Sequence, residues 1–214
     1  MTDFSSEPLA ARMRPGTIDE VVGQRHILGE GKLLRRVIEA DRLTNVIFYG
    51  PPGCGKTTLA EVIAKTTKRN FVRLSGVLSG VADIRKICDR ARNELGGKGT
   101  ILFIDEIHRF NKSQQDVLLP YVEDGTVVLI GATTHNPNFF INTPLTSRSL
   151  VFELKALSPD EVAEVLKRAL NDREKGCGSI PSRIDDDALS FLATVSDGDA
   201  RHALTALEIA MRST

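Results

Sequence analysis

Cysteine is scarce in this chain, and what there is sits badly for cysteine's usual uses. Cys54, Cys88 and Cys177 are odd in number and form no C-x-x-C pair, which argues against a disulfide framework and against a zinc site. Net charge is missing too, with 28 Lys+Arg against 28 Asp+Glu. A balanced total supplies no overall field for nucleic acid, so such binding has to come from a local patch or from several subunits lining a shared surface. No apolar run approaches a membrane span. Residues 1–8 hold neither a basic region nor an apolar one, so nothing points to secretion and a reduced, cytosolic setting is expected. Internal repeats and low-complexity segments are lacking as well. What remains is 214 residues, enough to bury roughly 70% of the unfolded surface without staples and to build one large and one small unit.

The most informative stretch is Gly50, Pro51, Pro52, Gly53, Cys54, Gly55, Lys56, Thr57 and Thr58. It fits the phosphate-loop pattern G-x-x-x-x-G-K-[ST] at every specified position. The apolar run Val46, Ile47, Phe48, Tyr49 leads in as a buried strand, and Leu59, Val62 and Ile63 follow at helical spacing. A loop opening onto a helix N-terminus offers unpaired N–H groups and a dipole that favours an anion. Glycines let the backbone wrap a phosphate without a Cβ in the way. Lys56 is placed to reach the terminal phosphates of a nucleoside triphosphate, and the Thr57 hydroxyl to ligate Mg²⁺. Cys54 fills a free slot of the pattern as a small residue rather than a nucleophile.

Residues 8–28 read as a strap over a core, and 31–41 as a short amphipathic helix with Leu33, Leu34, Val37 and Ile38 on one face. Residues 70–74 form a candidate second strand. Residues 81–95 form a helix whose other face carries Arg85, Lys86, Arg90 and Arg92. That face is either an ordinary solvated surface or a phosphate contact. Gly96, Gly97, Lys98 and Gly99 close the helix. The uniformly apolar 100–104 suits a strand buried on both faces and delivers Asp105 and Glu106 at its carboxyl end, where ligands bind in open α/β sheets. There Asp105 can hold Mg²⁺ and Glu106 can polarise an attacking water. Residues 111–124 form a helix with an Asn111…Gln114 capping arrangement and a bend expected at Pro120. Residues 126–132 make a strand ending in Thr133, Thr134, His135 and Asn136, whose polar groups either touch a γ-phosphate or cap the next turn; another strand covers 150–154. The alternation implies a mostly parallel sheet flanked by helices. Beyond it, Ser158-Pro159-Asp160-Glu161 opens a helix to about Glu174. Two more helices, 185–195 and 199–212, have Leu189, Phe191, Leu192, Leu204, Leu207 and Ile209 as expected core.

Together, the phosphate loop, residues 101–106, the strand ending in Thr133, the Ser147-Arg148 pair and Gly198-Asp199-Ala200-Arg201 resemble an AAA+ ATPase. The long stretch from Ile104 to Asp116 (IDEIHRFNKSQQD) is most similar to the RarA family, near the clamp-loader and RuvB-like branches. That resemblance implies a P-loop NTPase domain with a five-stranded parallel sheet over 1–155, then a small all-helical lid over 156–214. It makes Lys56 and Thr57 Walker A residues, Asp105 and Glu106 Walker B, Thr133 sensor 1 and Arg201 sensor 2. Val22, Gly23 and Gln24 resemble the box lining the adenine pocket. Arg148 resembles the arginine finger, which acts on nucleotide held by a neighbouring subunit.

The resemblance further implies an ATP- and Mg²⁺-using, DNA-dependent ATPase of replication-fork maintenance and recombination or repair. Its partners would be further copies of itself, single-stranded or fork or gapped DNA, and a single-strand-binding protein or replisome components. It would be cytoplasmic and nucleoid-associated, with no membrane partner. The alternatives are a clamp-loader subunit or branch-migration motor and, from another class, a nucleotide-gated scaffold with incidental hydrolysis. There are two departures. His135 stands where the family has an acid, and the chain stops at Thr214, where relatives continue into an oligomerisation region, so a core-plus-lid fragment is expected.

Overall fold

The computed structural model describes residues 7–77, 79–93, 99–180 and 184–213. The opening residues 1–6 and the helix-closing Gly96, Gly97 and Lys98 lie outside these, as does Leu95. The chain divides into two compact units. The α/β unit comprises Arg25–Pro51 and Lys56–Leu154; the helical unit holds the described parts of Met1–Gln24, Pro52–Gly55 and Lys155–Thr214.

In the α/β unit, the strands are β1 (Asn45–Tyr49), β2 (Asn70–Ser75), β3 (Thr100–Asp105), β4 (Val127–Thr133) and β5 (Ser149–Glu153). They form a five-stranded, all-parallel sheet in the order β2-β3-β4-β1-β5. The three inner strands are the uniformly apolar ones, buried on both faces. The edge strands β2 and β5 are partly exposed, as edges covered on fewer sides must be. The helical segments of the helical unit's first part and of this unit follow in chain order: α1 (Leu9–Arg12), α2 (Arg25–Leu28), α3 (Leu33–Glu39), α4 (Lys56–Thr67), α5 (Val81–Asn93) and α6 (Lys112–Glu123). Helix α4 packs on the sheet beside α3, while α5 and α6 share a core with Ile47, Leu102, Ile104 and Leu129. The expected capping box opens α6, with reciprocal bonds between Asn111 and Gln114 of 2.8 and 2.9 Å, and the helix runs on through Pro120. Two single-turn helices, α7 (Pro137–Phe140) and α8 (Thr143–Thr146), separate β4 from β5, each opened by a capping Asn and an early proline.

The helical unit is built on α9 (Pro159–Asn171), α10 (Asp186–Val195) and α11 (Ala200–Ser213). The Ser158–Glu161 capping box starts α9 as its sequence requires. The helix ends at Asn171 rather than near Glu174, because the Asp172 carboxylate turns to accept from the Glu174 and Lys175 N–H groups. Residues 8–24 fall in this unit, whereas the expected 1–155 domain places them with the α/β part. Leu9 is fully buried in the helical core, its N–H donates to the buried Glu208 carboxylate at 3.0 Å, and Arg12 donates to the Lys175 carbonyl at 2.6 Å. A one-turn helix has no core of its own and takes one where it docks.

Three expected core residues are exposed: Phe191 (65%), Ile209 (63%) and Leu33 (52%). Each sits at the margin of an apolar stripe whose centre, Leu189, Leu207 or Leu34, is buried. Among the described residues no helix is long and apolar enough to cross a membrane. All three cysteines are buried and outside any disulfide, and burial pushes the Cys88 thiol up to about 12. A thiol-reactive dye at neutral pH is therefore expected to label none of them in the native protein and all three in denaturant. Rapid labelling of the native chain would contradict this packing.

Candidate functional site

The loop between β1 and α4 has the backbone that its glycines permit. Gly53 and Gly55 have φ of +68° and +99°, where a side chain is strained. A Cβ on Gly53 would fall 1.9 Å from Asp199 Oδ1, and one on Gly50 would fall 2.0 Å from the Leu154 carbonyl oxygen. Asp199 also accepts from the His202 N–H at 2.9 Å, in the manner of a cap on α11. Lys56 opens α4, is 8% exposed, and its Nζ donates to the Gly50 and Pro51 carbonyls at 2.7 Å each. The lysine is folded over the entrance of its own loop. Gln24, also buried, donates to the Cys54 carbonyl at 3.3 Å and to the Lys155 carbonyl at 2.8 Å, and accepts from the Lys155 N–H at 3.0 Å. Its amide thus braces the loop backbone. At Gly23, with φ of +74°, a Cβ would meet Leu157 Cδ2 at 2.6 Å.

Parallel register brings the acids and the threonine to the same edge of the sheet. Tyr49 pairs with Thr133, Ile104 with Gly131, and Ser75 with Asp105. The carboxyl ends of β1, β3 and β4 therefore carry Lys56 and Thr57, Asp105 and Glu106, and Thr133. Gly50 N–H donates to the Thr133 carbonyl at 3.2 Å, tying the loop's first residue to the end of β4. The Asp105 carboxylate is not alone: Arg73, diagonal to it on β2, lies 2.6 Å away. Glu106 adopts a left-handed conformation, φ 55° and ψ 47°, which costs a non-glycine residue of order 1 kcal/mol. Gly76 makes room for the turn, since a Cβ there would come 2.3 Å from the Glu106 carbonyl oxygen.

Behind Glu106 stands a group that sequence reading passes over. His108 Nδ1 lies 2.9 Å from Thr133 Oγ1 and 3.3 Å from Glu106 Oε2. The His108 ring meets the His135 ring edge-on at 4.3 Å, and Phe140 backs both. Burial pushes the His108 imidazole below its usual value, against the pull of the Glu106 carboxylate, and His135 and Arg109 push it the same way as burial. Of the polar residues after β4, Thr133 and His135 join this cluster, while Asn136 caps α7.

The long 104–116 stretch has work beyond Asp105 and Glu106. Gln114 donates to the Ser79 carbonyl at 2.7 Å. Buried Gln115 donates to the Phe110 and Phe140 carbonyls and accepts from Asn142 N–H, and Asp116 accepts from the Asn142 amide. These bonds hold α7 and α8, the segment leading to Arg148. Arg148 precedes β5, and its carbonyl accepts from the Asn45 side chain at 3.3 Å, so it sits at the amino edge of the sheet. Its guanidinium pairs with Glu123 at 2.7 Å. The structure therefore does not bring Arg148 to the edge that carries Lys56. On α5, Arg92 pairs with Asp124 at 2.5 Å and lies over the Tyr121 ring, with its side chain still half exposed. Val22, Gly23, Gln24 and Arg201 belong to the helical unit; Arg201 is exposed near the start of α11.

Arg73, Glu123 and His108 went unnoticed because their partners are 32, 25 and 25 positions away. Only strand register and helix docking disclose such pairs.

Comparison with known proteins agrees with this fold. A replication-associated recombination protein A of Haemophilus influenzae is 50% identical over 203 residues, covering 94% of this chain and 46% of that protein. The Escherichia coli protein of the same name is 49% identical over 209 residues, covering 97% and 47%. This chain thus spans about half the length of the curated relatives it matches. Among solved structures, the Thermotoga maritima RuvB Holliday junction branch migration motor superposes with a TM-score of 0.75 at 33% identity, over 92% of this chain and 64% of that one. The model of the ATPase family associated with various cellular activities matches residues 46–155, and with a glycine loop, a strand-terminal acid pair and an all-parallel sheet to go with it, the chain belongs to the AAA family of ATPases.

Proposed function

We propose that this chain is the ATP-binding and hydrolysing core of a DNA-dependent ATPase of replication-fork maintenance and recombination or repair. The observation that carries the reading is the convergence of Lys56, Thr57, Asp105, Glu106 and Thr133 at one carboxyl edge of a parallel sheet. In this reading the loop N–H groups of residues 50–58 cradle the phosphates, and Lys56 leaves the Gly50 and Pro51 carbonyls to meet them. The Thr57 hydroxyl and the Asp105 carboxylate are the hard oxygen donors that Mg²⁺ takes beside phosphate. Arg73 already sets that carboxylate against a positive charge. When bound there, Mg²⁺ would neutralise charge developing on the phosphates. Glu106 accepts the proton of the attacking water, and Thr133 senses the γ-phosphate. Arg201 supplies a second sensing cation. Gln24 supports the loop through the Cys54 carbonyl, alongside Val22 and Gly23 in the adenine-lining role. Arg148 serves a neighbouring copy.

The fork and recombination setting is supported by the similarity to the replication-associated recombination proteins A. Homo-oligomerisation, DNA and a single-strand-binding or replisome partner belong to the same proposal, as does a cytoplasmic, nucleoid-associated location. The likeness to the RuvB motor favours a second reading, a branch-migration motor. Single-turnover ATP hydrolysis with and without single-stranded DNA tests the first reading. Stimulation by single-stranded or gapped DNA is expected; stimulation by four-way junctions alone favours the motor, and absence of any hydrolysis in an assembled form would contradict both.

A further inference from the structure

A neutral imidazole presents Nδ1 either as an N–H donor or as a lone-pair acceptor. His108 Nδ1 has two partners within reach, Thr133 Oγ1 at 2.9 Å and Glu106 Oε2 at 3.3 Å. As an acceptor it takes the hydroxyl proton of Thr133 and offers nothing to the carboxylate. As a donor it can turn to the carboxylate of Glu106 or to the threonine oxygen. The ring itself is held: its side chain is 11% exposed, with the His135 ring against it and Phe140 behind. Thr133 is fully buried, and its Oγ1 also accepts from the His135 N–H at 3.0 Å. A single nitrogen atom thus stands between the groups read above as γ-phosphate sensor and general base.

We propose that His108 is a positioning residue that couples the Thr133 hydroxyl to the Glu106 carboxylate, so that the base is held according to where the threonine's hydrogen bond points. The coupling rests on the assignment of Glu106 and Thr133 made above. When the Thr133 hydroxyl turns to a phosphate, Nδ1 loses its donor and the neutral ring can change tautomer, gaining a proton at Nδ1 from water as Nε2 gives one up to water, so that Nδ1–H donates to Glu106. When the hydroxyl turns back, the carboxylate loses that partner. His135 packs against the same ring and keeps its plane fixed.

Two variants separate this role from packing. His108→Phe keeps an aromatic ring beside His135 and Phe140 but removes Nδ1; His108→Asn gives up the ring but places an amide N–H at similar reach. Coupling predicts that His108→Phe lowers kcat of the assembled protein by about 10- to 100-fold while ATP affinity stays within about threefold. His108→Asn should recover most of that loss. In a Thr133→Ala background, His108→Phe should cost little more. The opposite pattern, Phe silent and Asn damaging, would mean packing alone and would overturn the proposal, as would fully multiplicative losses. A second measurement needs no turnover: the imidazole ¹⁵N resonance of His108 Nδ1 in this chain should move on Thr133→Ala and on Glu106→Gln. If neither moves it, the coupling does not exist, whatever the ATPase reading's fate. If it moves but the assembled protein hydrolyses no ATP, the coupling stands and that reading fails.

Discussion

Replacing Arg148 with alanine is expected to lower ATP turnover of the assembled protein by about 10³–10⁵-fold, or about 4–7 kcal/mol of barrier, with ATP affinity nearly unchanged. The size follows from what a guanidinium does for a transferring phosphoryl group, where charge spreads over the equatorial oxygens. The location follows from the sheet. Arg148 precedes β5, whose Ser149 pairs with Asn45 at the start of β1, whereas the phosphate loop follows the end of β1. The strand alone separates those ends by about 13 Å. Within one copy the guanidinium instead reaches Glu123 and the Pro144 carbonyl. An exposed pair of this kind contributes about 0–1 kcal/mol, so an incoming phosphate outcompetes it easily. The check is steady-state hydrolysis of wild type and Arg148→Ala above and below the concentration at which the protein assembles. The variant should matter only above it; a dilute monomer with full activity would remove Arg148 from the mechanism.

Glu106→Gln is expected to bind ATP as the wild type does and to lose about 10²–10⁴-fold in turnover, the usual worth of a placed general base. The substitution keeps shape, and glutamine suits the left-handed backbone at this position no worse than glutamate, so the turn braced by Gly76 should survive. A glutamine oxygen keeps an acceptor within reach of His108 Nδ1, so the proton acceptor and its charge are what the substitution removes. Nucleotide affinity and phosphate release measured on the same preparation separate the two effects. Normal release by the variant would mean that another group activates the water.

Much of this was legible from local signals. The phosphate loop, the buried inner strands and the two capping boxes are written in contiguous residues, because backbone geometry and helix-end hydrogen bonds are decided within a few positions. The apolar stripes of the helices were legible only at their centres: Leu189 and Leu207 are buried, while Phe191 and Ile209 at the margins depend on neighbours that periodicity does not name. Residues 8–28 read as a strap over a core without naming which one, and the first turn docks through Leu9 and Arg12 into the helical unit. The partners of the charged site groups were the least legible. Arg73 finds Asp105 through strand register, Glu123 finds Arg148 through helix docking, and His108 reaches Thr133 across two strand ends.

The account stands on Lys56 meeting a triphosphate at the carboxyl edge of the sheet. Calorimetric titration of Mg·ATP into the chain and into Lys56→Ala, with folding of both verified by circular dichroism, tests it most directly. Removing a charged donor from the phosphates should weaken binding by about 100-fold. Equal affinity in a folded variant would contradict the site.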